Sequence, residues 1–423
     1  MRQVAEPEFQ SWPVPVVGGK YVRLLEKYVR QLRDEESHGN RKLYLDDVFI
    51  VQLLAFFNPL VRTLRTVEDF SQTQRVQQNL SIRRICKSTL SDFQKLADPQ
   101  RLEPILTELR RQLSRKYSLN STGDRGLNDL LKQTIAVDGT FLPALADVAW
   151  AVCNTNNHGA RKHRARVDCH LDVSTWIPEV LNVPQPGESE AEAARTKLQD
   201  DKIYLYDRGF VSFGLLEAHY ETVGDELKPR RFFVCRYKRT GVNSPELKHA
   251  NSRPLTAEDR AAGVVSDRVG VLIPSTPRRH TDGLQILVRE VMIEYEENGE
   301  WQELRLITNL LEIPAASVGL LYRSRWQVEL FFRWFKSVAN FRHLIHRTRE
   351  GMLTHLYVTM IAIALMYLHT GYRPSKYMLA LLGHVASGAA TLDEIMPILR
   401  ERERRCELDR KSEAKRRAKK KSS

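Results

Sequence analysis

Asp138 and Asp207 each close a short apolar, strand-like run, QTIAVDGTFL and KIYLYDRGF, and each is followed within two residues by glycine. Side chains at strand ends leave the sheet and meet solvent, which is why ligands and catalytic groups gather there. Two carboxylates on adjacent strand ends can bind a divalent metal, although Asp before Gly is also common turn chemistry. In LLYRSRWQVELFFRWFKS, Tyr322, Arg325, Glu329 and Lys336 stand at offsets of 0, 3, 7 and 14. At about 100° per residue the four fall within an arc of roughly 60° on one helix face, with Leu330, Phe331, Trp334 and Phe335 opposite. One helix would then present a hydroxyl, a guanidinium, a carboxylate and an ammonium in a row. The plain alternative is an exposed face laced with i,i+4 pairs such as Arg325–Glu329. That accounts for the charges, but not for a Tyr and a Lys joining the row two turns and more apart.

The pattern Tyr-x2-Arg-x3-Glu-x6-Lys resembles the Y-R-E-K signature of DDE-type bacterial insertion-sequence transposases of the insertion-sequence-four family. Asp138 in AVDGT and Asp207 in YDRGF resemble the first two acidic residues of that family, and Thr308-Asn309 its Thr-Asn before the third acidic segment. The 122 residues between Asp207 and Glu329 resemble the spacing produced by the family's β-strand insertion. The resemblance covers about residues 130–365. It implies a ribonuclease-H-like α/β core in which Asp138, Asp207 and Glu329 meet, holding Mg2+ (with Mn2+ as substitute) for phosphodiester chemistry. Three carboxylates suit Mg2+, which prefers oxygen ligands and keeps several waters. It further implies phosphate contacts from Tyr322, Arg325 and Lys336, a dimer on double-stranded DNA at the transposon ends and target, and a hairpin intermediate. A transposase-derived DNA-binding protein that no longer cuts, and a metal-dependent nuclease without strand transfer, are the alternative readings.

Other residues carry weaker signals. Trp301 follows the turn Glu297-Asn298-Gly299-Glu300. In the family a tryptophan of the insertion can stack on a flipped base; the competing reading is cross-strand packing. Arg208 and the KHRAR cluster, residues 162–166, are candidate DNA contacts, and KHRAR reads equally well as a solvated loop. Cys153, His158, His163, Cys169 and His170 fall close together, but their spacing fits no compact structural zinc pattern.

Around these residues the chain divides by texture. Residues 1–128 read as helical, with VFIVQLLAFF opened by Asp46-Asp47 and broken at Asn58-Pro59. Ser91-Asp92-Phe93-Gln94 fits a capping box at the start of a helix. LEPILTELRRQLSRKY then carries its leucines on one stripe, and Gly123 to Asn128 reads as a linker. Residues 129–228 alternate strands with a helix at ESEAEAARTKLQ, suggesting a sheet covered on both faces. Residues 229–304, from RFFVCRY onward, read as a β-rich insertion with an Asn-Gly hairpin. Residues 305–350 return to the core with the Glu329 helix, 351–408 are helical, and 409–423 form a basic tail expected to be disordered.

Composition narrows the classes. The chain has 423 residues, 42% hydrophobic and 28% charged, the range of a soluble globular protein. Net charge is +13; residues 410–421 hold eight basic side chains and one Glu, and the remaining chain still carries +6. That balance suggests a polyanionic partner, nucleic acid being the commonest. Five scattered cysteines without a CxxC argue against a disulfide scaffold and for a reducing compartment. MRQVAEPEFQ lacks the apolar core of a signal peptide. Met352–Leu368 is interrupted by Thr354, His355 and Tyr357 and reads as a buried helix rather than a membrane span. The expectation is a cytoplasmic, nucleoid-associated bacterial protein with no membrane partner.

Overall fold

A computed structural model of the chain describes residues 19–421 except 35–42, 59–60, 62, 81–82, 97, 117–124, 144–151, 156–160, 186, 225, 238–245, 275–284, 298, 339–347 and 387–388. The predicted positions Pro59, His158 and Asn298 therefore lie outside the described residues. The helices are α1 Gly19–Leu24, α2 Glu26–Asp34, α3 Leu45–Phe57, α4 Leu64–Gln72, α5 Gln74–Leu80, α6 Lys87–Phe93, α7 Glu103–Lys116, α8 Arg125–Lys132, α9 Glu190–Arg195, α10 Phe213–Glu217, α11 Ala257–Ala261, α12 Ala315–Arg323, α13 Trp326–Val338, α14 Arg349–Thr370, α15 Lys376–Ala386 and α16 Leu392–Lys421. The strands are β1 Thr134–Pro143, β2 Val152–Thr155, β3 Arg161–Asp172, β4 Pro178–Asn182, β5 Ile203–Tyr206, β6 Tyr220–Val223, β7 Glu226–Pro229, β8 Phe232–Arg236, β9 Glu246–Ser252, β10 Val264–Ile273, β11 Ile286–Glu297 and β12 Glu300–Thr308.

The chain forms two compact units, one of residues 1–113 with 334–423 and one of residues 114–333. The sequence predicts separate N-terminal and C-terminal helical regions; instead these segments share one unit. The reason lies in α3 and α14. Both are apolar on every side, so each needs cover all round. α3 buries Val48, Phe49, Val51, Leu53 and Leu54, α14 buries nearly every residue from Gly351 to Tyr367, and the two pack on each other. α14 is long and apolar enough to cross a membrane, yet it sits inside this helical unit as the predicted buried helix. The Thr348 hydroxyl ties its start to α6 by donating to Gln94 O at 3.0 Å. Ser91 lies within α6 and Gln94 is its C-cap, so the expected capping box ends a helix rather than starting one. Leu90 and Phe93 are buried together, which draws the helix to the residues before them. α16 runs helical to Lys421 where disorder is predicted. Ala, Glu, Lys and Arg all propagate a helix well, and Glu401 pairs with both Arg404 and Arg405.

The second unit is built on one ten-stranded sheet of order β2-β3-β1-β5-β8-β12-β11-β10-β9, with β4 beside β3. β1, β5 and β8 are mutually parallel; the pairings outward from them are antiparallel. Every residue of β5 is buried, as expected of a strand covered on both faces. One face packs Ile135, Val137, Tyr204, Tyr206, Phe233 and Cys235 against Ala194 of α9 and Leu215 and Leu216 of α10. The alternate residues Ala136, Leu205, Val234 and Leu306 are also buried and face the other way. α12 packs on β8, β10 and β11.

The placing of RFFVCRY in the insertion is corrected here: β8 is a parallel core strand beside β5. The insertion strands β9 to β11 extend the core sheet through β12. A strand run carries no mark of which neighbour it will pair with, so only the ladder reveals this. The β11–β12 hairpin does match expectation: Glu297 pairs with Glu300, and Gly299 takes φ +84, which the turn requires. The predicted linker at 123–128 is partly helical, because α8 starts at Arg125.

The insertion strands also hold α12 in place. Arg289, wholly buried, pairs with Asp267 through two bonds of 2.8 Å and donates to Ile313 O at 2.6 Å. Asp259 of α11 accepts the Ala316 N–H at 2.8 Å, satisfying an unpaired donor at the α12 N-terminus.

Candidate active site

The parallel ladder between β1 and β5 pairs Ala136 with Leu205. Two residues further along the same register come Asp138 and Asp207, side by side at the carboxyl ends of the parallel pairing. Asp207 directly follows β5 and precedes a short 3-10 turn, Arg208–Phe210. Asp138 is not at a strand end as predicted. β1 continues to Pro143, paired throughout with β3, and Asp138 stands opposite Cys169. What ends at that level is the neighbouring strand β5, and this opens the space beside Asp138. Both acids fall on the face away from Val137 and Tyr206, the face covered by α12.

The predicted single helix carrying the row is two helices. Tyr322 lies on α12, Arg325 in the junction, and Glu329 and Lys336 on α13. At the junction Arg325 N–H donates to Tyr322 O at 2.9 Å and Val328 N–H to Arg325 O at 3.1 Å, a tighter i,i+3 pattern. The first three residues still converge on the two strand acids. The Tyr322 hydroxyl donates to Asp207 Oδ1 at 3.5 Å, the outer limit of a hydrogen bond. The Arg325 guanidinium donates to Glu329 Oε1 at 2.5 Å and lies 3.8 Å from Asp138 Oδ2. Its side chain is only 12% exposed, so it is not the surface partner of the plain alternative. Lys336 is exposed further along α13.

Burial pushes the Asp138 carboxyl up to about 6, despite the Gly139 N–H at 2.9 Å and the charge of Arg325, which both favour ionisation. Folding therefore takes up a proton between the unfolded value of 3.8 and about 6. Stability from this group is full below the unfolded value and is lost as pH rises through the folded one. Asp138→Asn should raise the thermal midpoint of the metal-free protein at pH 8, by up to about 3 kcal/mol in stability, and the gain should vanish towards pH 4. Equal midpoints of variant and wild type at pH 8 would count against a buried, destabilising carboxylate.

The opposite face of the same strands holds groups that the sequence reading missed. Arg166 pairs with Asp168 at 2.9 and 3.2 Å and donates to Glu188 O at 2.7 Å. This corrects the reading of Arg166 as a solvated or DNA-facing member of KHRAR: it is spent inside the fold. Burial also pushes Asp168 up to about 6. Glu190, at the start of α9, lies over Gly139 together with Asp168: a Cβ at residue 139 would stand 2.4 Å from Glu190 Oε1 and 3.1 Å from Asp168 Oδ1, so the Glu190 carboxylate would have to move. No periodicity announced these residues, because strand pairing brings them together. Trp301 is 72% exposed beside Glu296, so it is not packed across the strands. Arg208 is exposed next to Asp207. Cys169 and His170 are buried on opposite faces of β3.

Asp138, Asp207 and Glu329 offer oxygen donors only, the set that Mg2+ takes, and a cation among them would offset the cost of ionising buried Asp138. Among the described residues no three acid, His or Cys side chains stand close enough to hold an ion as arranged. Arg325 supplies the positive charge there instead. The donor set fits a divalent ion; holding one requires the acids to close around it.

The family model described as "Transposase DDE domain" matches residues 129–365, which include all of these acids. "Putative transposase y4zB" of Sinorhizobium fredii is 25% identical over 231 residues, 54% of this chain and 59% of that protein. "Probable transposase for insertion sequence element IS5377" of Geobacillus stearothermophilus is 34% identical over 76 residues, 18% of this chain and 20% of that one. The matched part thus spans less than two thirds of either relative. A solved piggyBac transposase synaptic complex with hairpin DNA aligns over 86% of this chain and 76% of its own, at 11% identity and a TM-score of 0.37. The family match covers more than half of the residues, and it contains the sheet, the two strand acids and the Glu329 helix just described: the chain belongs to the transposase DDE-domain family.

Proposed function

We propose that the chain is an insertion-sequence transposase of the insertion-sequence-four type, which cuts the ends of an element and joins them to target DNA by in-line phosphoryl transfer. The observation that carries this reading is the convergence on Arg325: it is bonded to Glu329 and lies 3.8 Å from Asp138, while Tyr322 one turn earlier reaches Asp207. A ribonuclease-H-like core is supported by the path β4-β3-β1-β5-β8, an antiparallel trio followed by two strands parallel to its last member, β1.

Asp138, Asp207 and Glu329 would hold Mg2+, or Mn2+ in its place, which stabilises charge on the attacking and leaving oxygens. The chain's own groups position the DNA. Arg325 presents a planar fork to a phosphate, Lys336 a point charge, and Arg208 a second guanidinium beside Asp207. The exposed indole of Trp301 offers a stacking platform for an unpaired base. Hydrolysis first frees a 3′ hydroxyl, and the same site then directs that hydroxyl at DNA, with a hairpin at the element end as intermediate. Work on two ends calls for two copies on the DNA. Incubation with the flanking DNA ends and Mg2+, scored for nicks, hairpins and joined products, tests this. Binding without any cut would favour a silent DNA-binding derivative, and nicks without joined products a nuclease.

The basic end of α16 adds sequence-independent affinity in this reading. Its net charge of +7 over residues 410–421 can release counterions from DNA. Deleting 410–421 should flatten the log–log salt dependence of binding by as much as about 6 and leave the cleavage rate of bound DNA intact. An unchanged slope would show that this segment makes no contact with DNA phosphates.

A further inference from the structure

Gln327 lies on the first turn of α13 between Arg325 and Glu329, and Trp176 reaches it from the β3–β4 turn by donating its indole N–H to Gln327 Oε1. We infer that this hydrogen bond sets the rotation of α13, making Trp176 and Gln327 positioning residues for Arg325 and Glu329, which rests on the transposase reading of the site.

The junction between α12 and α13 needs such a tie. Its bonds run from Arg325 N to Tyr322 O, Gln327 N to Ser324 O at 3.0 Å and Val328 N to Arg325 O, all i,i+3. A short turn of this kind does not enforce the phase of the helix that follows as a continuous i,i+4 ladder does. A slip of one residue turns α13 by about 100° and carries Glu329 off the face it shares with Asp138.

The other end of the tie is stiff. Asp172 Oδ1 accepts the Ser174 N–H at 2.8 Å, the Ser174 hydroxyl at 2.7 Å and the Thr175 N–H at 3.2 Å. Trp176 N–H donates to Asp172 O at 2.8 Å. Trp176 itself takes φ 63, a left-handed conformation that bulky residues avoid and that persists where the surroundings dictate it. The same strand β3 that ends in Asp172 pairs its Cys169 with Asp138. The hydrogen bond thus runs from the strand pair carrying one acid to the helix carrying another, across 151 residues of sequence.

Gln327→Leu removes the acceptor with little change in volume, and Trp176→Phe removes the donor while keeping an aromatic ring, at the cost of the indole's second ring. Single-turnover cleavage of pre-bound end DNA should slow about 10- to 100-fold in each, with DNA affinity unchanged. The double variant should be no slower than the slower single one, since both remove the same bond. Amide exchange over residues 324–329, measured without DNA, should quicken in both single variants. It should stay near wild type in Gln327→Glu, which keeps an acceptor oxygen. Multiplicative rate losses in the double variant, or unchanged exchange in the single ones, would overturn the inference. A wild-type protein that cuts no DNA would instead sink the transposase reading, while the exchange measurement still decides whether the bond holds α13.

Discussion

Asp138→Ala, Asp207→Ala and Glu329→Ala should each abolish cleavage of a pre-bound element end while DNA affinity survives. The ground is placement. Asp138, within β1, and Asp207, just past the end of β5, stand at the same level of the parallel pairing, and Glu329 is brought to Asp138 by the guanidinium it shares with it. Losing one of three oxygen donors removes charge stabilisation of several kcal/mol from the displacement; about 4 kcal/mol is a rate loss of roughly a thousandfold. Binding survives because DNA affinity comes mainly from basic side chains and phosphates, not from the acids. Ca2+ should support binding without turnover, since its longer and looser coordination suits a site made for Mg2+ poorly. Single-turnover kinetics with Mg2+, alongside equilibrium binding of the same DNA, separates the two effects. Full cleavage by any one of the three variants would remove that acid from the catalytic set.

Arg325→Ala should slow end cleavage about a hundredfold without raising the Mg2+ concentration needed for half-maximal rate. In the metal-free protein Arg325 is the counter-charge of Glu329 and a neighbour of Asp138, and it is nearly buried. A group so placed is within reach of whatever phosphate the acids address, and loss of positioning in such a site costs about a hundredfold. Removing a positive charge from beside the acids does not weaken their hold on a cation, so the Mg2+ requirement should not rise. Arg325→Lys should remain slow because an ammonium lacks the planar fork. Tyr322→Phe should be milder than Tyr322→Ala: the ring is 8% exposed and packs inside, while its hydroxyl makes one long bond to Asp207. Lys336→Ala should also slow cleavage by losing a phosphate contact. An exposed helix pair would instead cost a few tenths of a kcal/mol in stability and nothing in rate. Wild-type rates from all of these variants would leave Glu329 an ordinary helix carboxylate.

Much of the site was legible because its signals are local. Asp207 ends an apolar run of four and stands at the end of a wholly buried strand. The 0, 3, 7 spacing still brings Tyr322, Arg325 and Glu329 to the two strand acids across the break between α12 and α13, where i,i+3 bonds keep the chain winding in the same sense. The break itself was not legible, since the residues around Ser324 and Arg325 include no Gly or Pro to mark it. Asp138-Gly139 looked like a turn because the pair is usually one. Here Gly139 stays in the strand and instead leaves room for Glu190 and Asp168.

The amino-acid sequence by itself determined most of the element types, the strand run before each Asp, the Asn-Gly hairpin, the basic end and the helical spacing of the third acid. These depend on residues a few positions apart, where periodicity and turn chemistry act. Tertiary structure decided which strands are neighbours, that β8 belongs to the core, and that α3 and α14 share one helical unit. It also decided that Arg166 turns inward and that Trp176 reaches Gln327. Those outcomes depend on pairing and burial between segments far apart in the chain. An apolar strand or an all-round apolar helix states only that it must be covered, and packing selects the partner that covers it.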